Sequence, residues 1–150
     1  MKLSTRARYG LRAMLELAKR HTTSPVTMRS IASEQGLSKR YLDNIFATLR
    51  QAGLVNSVRG GAGGYRLARD ADQIFALDVI ETLEGDLSLV ACREEFGGDC
   101  EWYGHCASSE LWSDASKAMR RVFSDATLAS LTARQELLDA QRPGGVTPEA

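Results

Sequence analysis

Three cysteines, Cys92, Cys100 and Cys106, stand within fifteen residues of a 150-residue chain, separated by seven and five residues. Thiolate sulfur is the preferred ligand of zinc and of iron-sulfur clusters, and Gly97, Gly98 and Gly104 leave the segment supple enough to fold around a metal centre. An odd number of thiols cannot all pair within one chain, which argues against a disulfide scaffold and for a metal or redox role in a reducing compartment. The spacing lacks the paired Cys-x2-Cys knuckles of a structural zinc site. Three thiols also leave a four-ligand site one donor short. Ser109 and Glu110 are weak candidates for it, and His105 adjoins Cys106 too closely to share its metal without strain. Thiols that are merely buried fit poorly with this glycine-containing, charged loop. A thiol enzyme would need a positioned base, but His21 and His105 are the only histidines, and no Ser-His-Asp or paired-carboxylate arrangement stands out. The enzyme reading is rejected.

A second constellation lies upstream. The formal net charge is zero, but residues 1–69 carry 13 Lys and Arg against Glu16, Glu34 and Asp43, a balance of +10, and residues 70–150 carry −10. Folded surfaces usually intersperse their signs, so this segregation marks the first half as suited to a polyanion. Within it, Ser38, Lys39, Arg40, Tyr41, Asp43 and Asn44 crowd the start of one predicted helix. Asn pairs with adenine, Asp accepts from cytosine, and Arg or Lys bonds guanine or phosphate. Arg59, Gly60 and Arg66 flank a glycine run, Gly60 to Gly64 apart from Ala62, where bare backbone and cations can approach a nucleic-acid backbone. Arg59 is placed to enter a minor groove. The run lacks the Lys-Ser/Thr ending of a P-loop and leads into a strand instead of a helix, so it is not a nucleotide cradle.

The elements that must hold these residues follow from periodicity. Ala7, Leu11, Met14, Leu15 and Ala18 recur at spacings of three and four, which predicts a helix from Thr5 to Lys19. Thr27 caps a short second helix with Met28, Ile31 and Ala32 inward, ending at Gly36. Ser38 caps a third with Leu42, Ile45, Phe46 and Leu49 inward, ending at Gly53. Helix, glycine-containing turn and helix make a helix-turn-helix. The period then changes: residues 54–59 and 65–67 read as a hairpin, a wing behind the helix pair. Ala76 to Leu83 reads as a short helix. Ser108 or Ser109 caps a longer one through Phe123, whose stripe of Leu111, Trp112, Ala115, Ala118, Met119 and Val122 suits packing against a second copy of itself. Asp125 to Leu138 supplies a last helix. The expected fold is mainly α with a small β-wing: residues 1–70 a winged helix-turn-helix, residues 71–140 a cluster-binding loop with dimerisation helices, and residues 141–150 a loose tail. With 43% hydrophobic and 25% charged residues the chain can bury a core. No apolar run approaches the roughly 20 residues needed to cross a bilayer, and MKLSTRARYG lacks a signal peptide's apolar stretch. No membrane contact and a cytoplasmic location are expected.

In order along the chain, Met1 to Tyr9, Ile31 to Val58, Arg59-Gly60-Gly61-Ala62-Gly63-Gly64-Tyr65-Arg66-Leu67, the three-cysteine loop and Leu111-Trp112 resemble the IscR and NsrR group of winged-helix iron-sulfur regulators. The resemblance covers about residues 1–140. It implies a homodimer whose long helices, here Ser109 to Phe123, cross between subunits, and a 2Fe-2S or 4Fe-4S cluster on Cys92, Cys100 and Cys106 that controls binding to double-stranded promoter DNA, as in a repressor. Two positions depart from the pattern. Ser109 stands where IscR-like members complete the cluster with His, and Arg8 stands where NsrR-like members use Asp from the partner subunit. Three-cysteine, iron-responsive relatives of the RirA kind also exist. The resemblance thus implies a sensor of iron-sulfur or iron status, or of nitric oxide or redox stress. The alternative is a winged-helix regulator whose cysteine loop binds zinc or reacts directly with oxidants.

Overall fold

A computed structural model of the chain describes residues 2–20, 24–60, 63–90, 102 and 105–141. Its described elements are α1 (Thr5–Lys19), α2 (Met28–Gln35), α3 (Lys39–Gln51), β1 (Val55–Val58), β2 (Gly64–Leu67), α4 (Ala76–Glu84), α5 (Ala107–Ser124) and α6 (Leu128–Ala140). This is the expected mainly helical fold with a two-stranded antiparallel wing.

Local chemistry sets the boundaries. The hydroxyls of Ser4, Thr27 and Ser38 accept from the amides of Ala7, Ser30 and Tyr41, so the first three helices each start on a side-chain cap. Leu42, Ile45, Phe46 and Leu49 of α3 are fully buried, each worth about 1.5–3 kcal/mol of apolar transfer. They share one core with Ala7, Met14 and Leu17 of α1, with Met28 and Ile31 of α2, and with Ile74, Val79, Leu83 and Leu128 from the acidic half of the chain. A smaller cluster of Ala76, Ile80 and Leu87 is covered by Leu11, Met119, Phe123 and Leu131.

The inward stripe of α1 differs from the expected one. Its buried positions are Ala7, Gly10, Ala13, Met14 and Leu17, while Leu11, Leu15 and Ala18 are only partly covered. The reason is Gly10, where a Cβ would overlap Leu83 Cδ1 and crowd Ile45 Cγ2. Absence of a side chain lets α1 lie directly on α4, so the closest-packed face turns towards a residue that periodicity counts as neutral.

The wing also has an unexpected anchor. Val26 and Tyr65 exchange backbone hydrogen bonds of 2.9 and 2.8 Å, pinning β2 to the segment before α2. A Cβ at Gly64 would strike the Val26 carbonyl. This glycine is therefore required by internal packing and does not belong to a free tip, as its place in the glycine run suggested. Tyr65 also meets the edge of Phe46, at 4.9 Å between ring centroids, so the wing is seated on the core.

Two helix starts are corrected. The last helix begins at Leu128, not Asp125: the Ala76 amide donates to Ala126 and that of Leu128 to Ile74, each at 2.8 Å, holding residues 126–127 extended until the Thr127 hydroxyl caps α6. The long helix begins at Ala107, with Cys106 in the capping position and both expected caps, Ser108 and Ser109, inside its first turn.

Candidate nucleic-acid interface and cysteine loop

Helix α3 presents Lys39, Arg40 and Asn44 to solvent, with Tyr41 and Asp43 half-buried. The Ser38 hydroxyl accepts from the Tyr41 amide at 3.2 Å, which leaves its own O–H free to donate outward. Lys39 Nζ lies 2.8 Å from Asp43 Oδ2, one turn on, so these two expected contact residues form one neutralised pair. Tyr41 leans on Tyr9 of α1, edge to face at 6.2 Å. It serves the packing of α1 against α3 as much as the surface.

In the wing, Arg59 follows β1 and is exposed, and Gly60 has φ +124, a conformation that a side chain would oppose. Arg66 is opposite Asn56 in the β-ladder and is exposed. Buried Val55 and Leu67 pair on the other face and fix which way the arginine points.

Charge pairing adds residues that motif reading did not select. At the carboxyl end of α1, Lys19 meets Asp139 at 3.0 Å, and Arg20 meets Glu16 at 2.7 Å and Glu34 at 2.9 Å. At its amino end, Arg6, Arg8 and Arg12 have no acidic partner among the described residues. Arg8 and Arg12 stack near the Tyr9 ring at 5.9 and 5.8 Å, and Arg6 Nη2 donates to Thr48 Oγ1 of α3 at 2.6 Å. The available sequence signal was the absence of any acid before Glu16.

In the second half of the chain, Cys106 occupies the N-cap position of α5 without a side-chain capping hydrogen bond. Its thiol lies 3.0 Å from Ser108 Oγ, and that hydroxyl, followed by the hydrogen bonding of Ser109, holds it below the ordinary cysteine value. The Ser109 hydroxyl donates to the Cys106 carbonyl at 2.7 Å, so it is engaged in the helix's own first turn. His105 and Glu110 are exposed. Cys92 and Cys100 lie outside the described residues, and among those described no three His, Cys, Asp or Glu side chains converge. A thiol that ionises readily at a helix start has the donor chemistry that iron or zinc takes, so Cys106 fits such a group.

The segment leading to the loop is tied to α5. The Leu89 amide donates to Ser116 Oγ at 3.1 Å, and Arg120 pairs with Glu81. On α5, Met119 and Phe123 turn inward against the smaller cluster, whereas Leu111 and Val122 are 60% and 65% exposed, with Trp112 also exposed. Met119 of the expected stripe is thus half-buried against this cluster, while Leu111, Trp112 and Val122 face outward. No helix among the described residues is long and apolar enough to cross a membrane.

Comparison with known proteins gives this geometry its context. The family model Rrf2, described as an iron-dependent transcriptional regulator, matches residues 3–134. The HTH-type transcriptional regulator IscR of Klebsiella pneumoniae (strain 342) is 37% identical over 139 residues, covering 93% of this chain and 84% of that one. The solved structure of CymR, the global cysteine regulator of B. subtilis, is similar at 42% identity with a TM-score of 0.77, covering 89% of this chain and 98% of its own. The structure of T. potens IscR is similar at 36% identity with a TM-score of 0.74, covering 97% and 94%. The Klebsiella and B. subtilis relatives are both named as regulators. With its winged helix-turn-helix, cationic first half and close likeness to these proteins, the chain belongs to the Rrf2 family and is a DNA-binding transcriptional regulator.

Proposed function

We propose that the chain is a cytoplasmic, homodimeric promoter-binding regulator that senses iron-sulfur or iron status through a cluster held by Cys92, Cys100 and Cys106. The observation that carries this reading is the place of Cys106, at the N-cap position of α5 with its thiol 3.0 Å from Ser108 Oγ, on a helix that leaves Leu111, Trp112 and Val122 exposed. When bound, the cluster would supply an iron centre sensitive to oxygen, nitric oxide or iron loss, with His105, Glu110 or a small molecule as a weak fourth donor. Residues 1–70 read DNA through Ser38, Lys39, Arg40, Tyr41, Asp43 and Asn44 of the recognition helix and through Arg59, Gly60 and Arg66 of the wing. Residues 71–140 carry the loop and the subunit contact, made by α5 through Leu111, Trp112 and Val122. Because Leu89 and Cys106 flank the cysteine segment and both are attached to α5, cluster binding there changes the tilt of that helix and with it the spacing of two recognition helices in a dimer.

The test is protein purified without oxygen. Visible absorption that is lost when any one of the three cysteines is replaced by Ser, together with different DNA affinities for holo-protein and chelator-treated protein at one salt concentration, is the expected result. A chromophore that survives Cys100→Ser, or equal affinities on every promoter fragment tried, sinks the proposal. Likeness to the cysteine regulator CymR favours a second reading, in which the same loop works without a cluster, through zinc or directly oxidised thiols. Colourless protein would select it.

A further inference from the structure

We propose that Arg6, on α1 and outside both the recognition helix and the wing, is a phosphate-contacting residue of the DNA interface, held in place by Thr48. The inference rests on the reading of α3 as the DNA-contacting helix.

Asn44 and Thr48 are four residues apart and lie on one strip of α3, about 6 Å along its axis. The Thr48 hydroxyl donates to the Asn44 carbonyl at 3.3 Å and accepts from Arg6 Nη2 at 2.6 Å. A guanidinium carried by another helix is thereby moored one turn beyond the base-reading position. Arg6 is exposed, and among the described residues no carboxylate neutralises it. The single bond to Thr48 uses one of its five N–H donors, leaving the rest directed away from a hydroxyl that contributes no charge. The contrast within α1 supports this. Arg20, at the other end, meets two carboxylates and the Ser30 hydroxyl. A fold that uses its acids to neutralise one end of the helix and leaves the other end cationic beside the recognition strip matches a polyanion running along that strip. A helix lying in the major groove is flanked by phosphates of both strands, and a forked, pre-positioned guanidinium suits a phosphate better than it suits water.

Duplex DNA of unrelated sequence is a sufficient probe, because phosphate contacts govern non-specific affinity and its salt dependence. Affinity measured between roughly 50 and 200 mM salt is expected to fall with a log-log slope about 0.9 shallower for Arg6→Ala than for wild type, with binding several-fold weaker at the low-salt end. Arg6→Lys should keep the slope. Thr48→Val, which removes the mooring and keeps the charge, should weaken binding less than Arg6→Ala. Arg134→Ala, a charge removed from α6, should change nothing. A wild-type slope in Arg6→Ala while Arg40→Ala of α3 shows a loss would overturn the proposal for Arg6 alone. An equal loss in Arg134→Ala would overturn it by showing a net-charge effect. If Arg40→Ala and Arg6→Ala both leave binding unchanged, the α3 reading fails with it.

Discussion

Helices α3 and α5 are both amphipathic, but one is finished within the chain and the other is not. Helix α3 buries four large side chains completely, whereas α5, five residues longer, buries none and leaves Leu111 and Val122 mostly in solvent. The same hydrophobic free energy acts on both. Where it is satisfied inside one chain it builds a rigid platform, and where it is left over it recruits a second surface. On the proposed function, the region that reads DNA holds its side chains still, and the region that responds to a signal leaves its packing to be completed between chains.

The comparison can be broken most forcefully at Phe46. Phe46→Ala leaves a cavity in the main core beside Tyr65 and should cost about 3–5 kcal/mol in chemical denaturation, whatever the protein concentration. Next comes Val122→Asp, which should leave the fold of each chain intact and yield monomers in sedimentation, because a carboxylate would be trapped in the contact between α5 helices. Met119→Asp is a poorer probe, since Met119 also covers Ile80. If wild type sediments as a monomer at the concentrations that bind DNA, the contrast between the helices loses its functional meaning. A third effect is smaller: Asn44→Ala should lower discrimination at one base position by about 1–3 kcal/mol, read from competition with point-mutated promoter fragments, while non-specific affinity stays near wild type.

The smallest effect concerns Cys106. With Cys92 and Cys100 replaced by Ser, alkylation of Cys106 should show its midpoint below that of an ordinary thiol, because hydrogen bonding from Ser108 and Ser109 favours the thiolate. Ser108→Ala should move the midpoint up, towards the unperturbed value, as the larger of these contributions is removed. No movement would show that the serine is a bystander.

Much of the winged helix-turn-helix half is legible in the sequence because its signals are local. Ser38, Gly36 and Gly53 mark boundaries by capping and backbone chemistry that depend on a few neighbouring residues, and Leu42, Ile45, Phe46 and Leu49 announce a face by spacing alone. Long-range features were not legible. At Gly10 the α1 backbone lies against Leu83 of α4, and at Gly64 β2 lies against Val26, but a pattern that scores apolar side chains is blind to a contact whose cause is the lack of one. Cys106 as the start of α5 was missed because Ser108 and Ser109 are the stronger cap formers, and here both hydroxyls turn back on the cysteine. Likewise the Arg6 mooring joins residues 42 positions apart, and no local motif contains it.

The seating of α1 against late elements has a consequence during synthesis. Its buried face is completed by Leu83 of α4 and by Leu128 at the start of α6, and its carboxyl end by Asp139, so the first helix made depends on the last for its full set of partners. At about 5–20 residues per second, roughly 110 residues separate the release of α1 from the arrival of α6, a wait on the order of 5–20 s. Throughout that interval α2, α3 and the wing are the partners that Met14 and Leu17 can find, and the part of the α1 face that later meets Leu83 and Leu128 stays uncovered on the nascent chain.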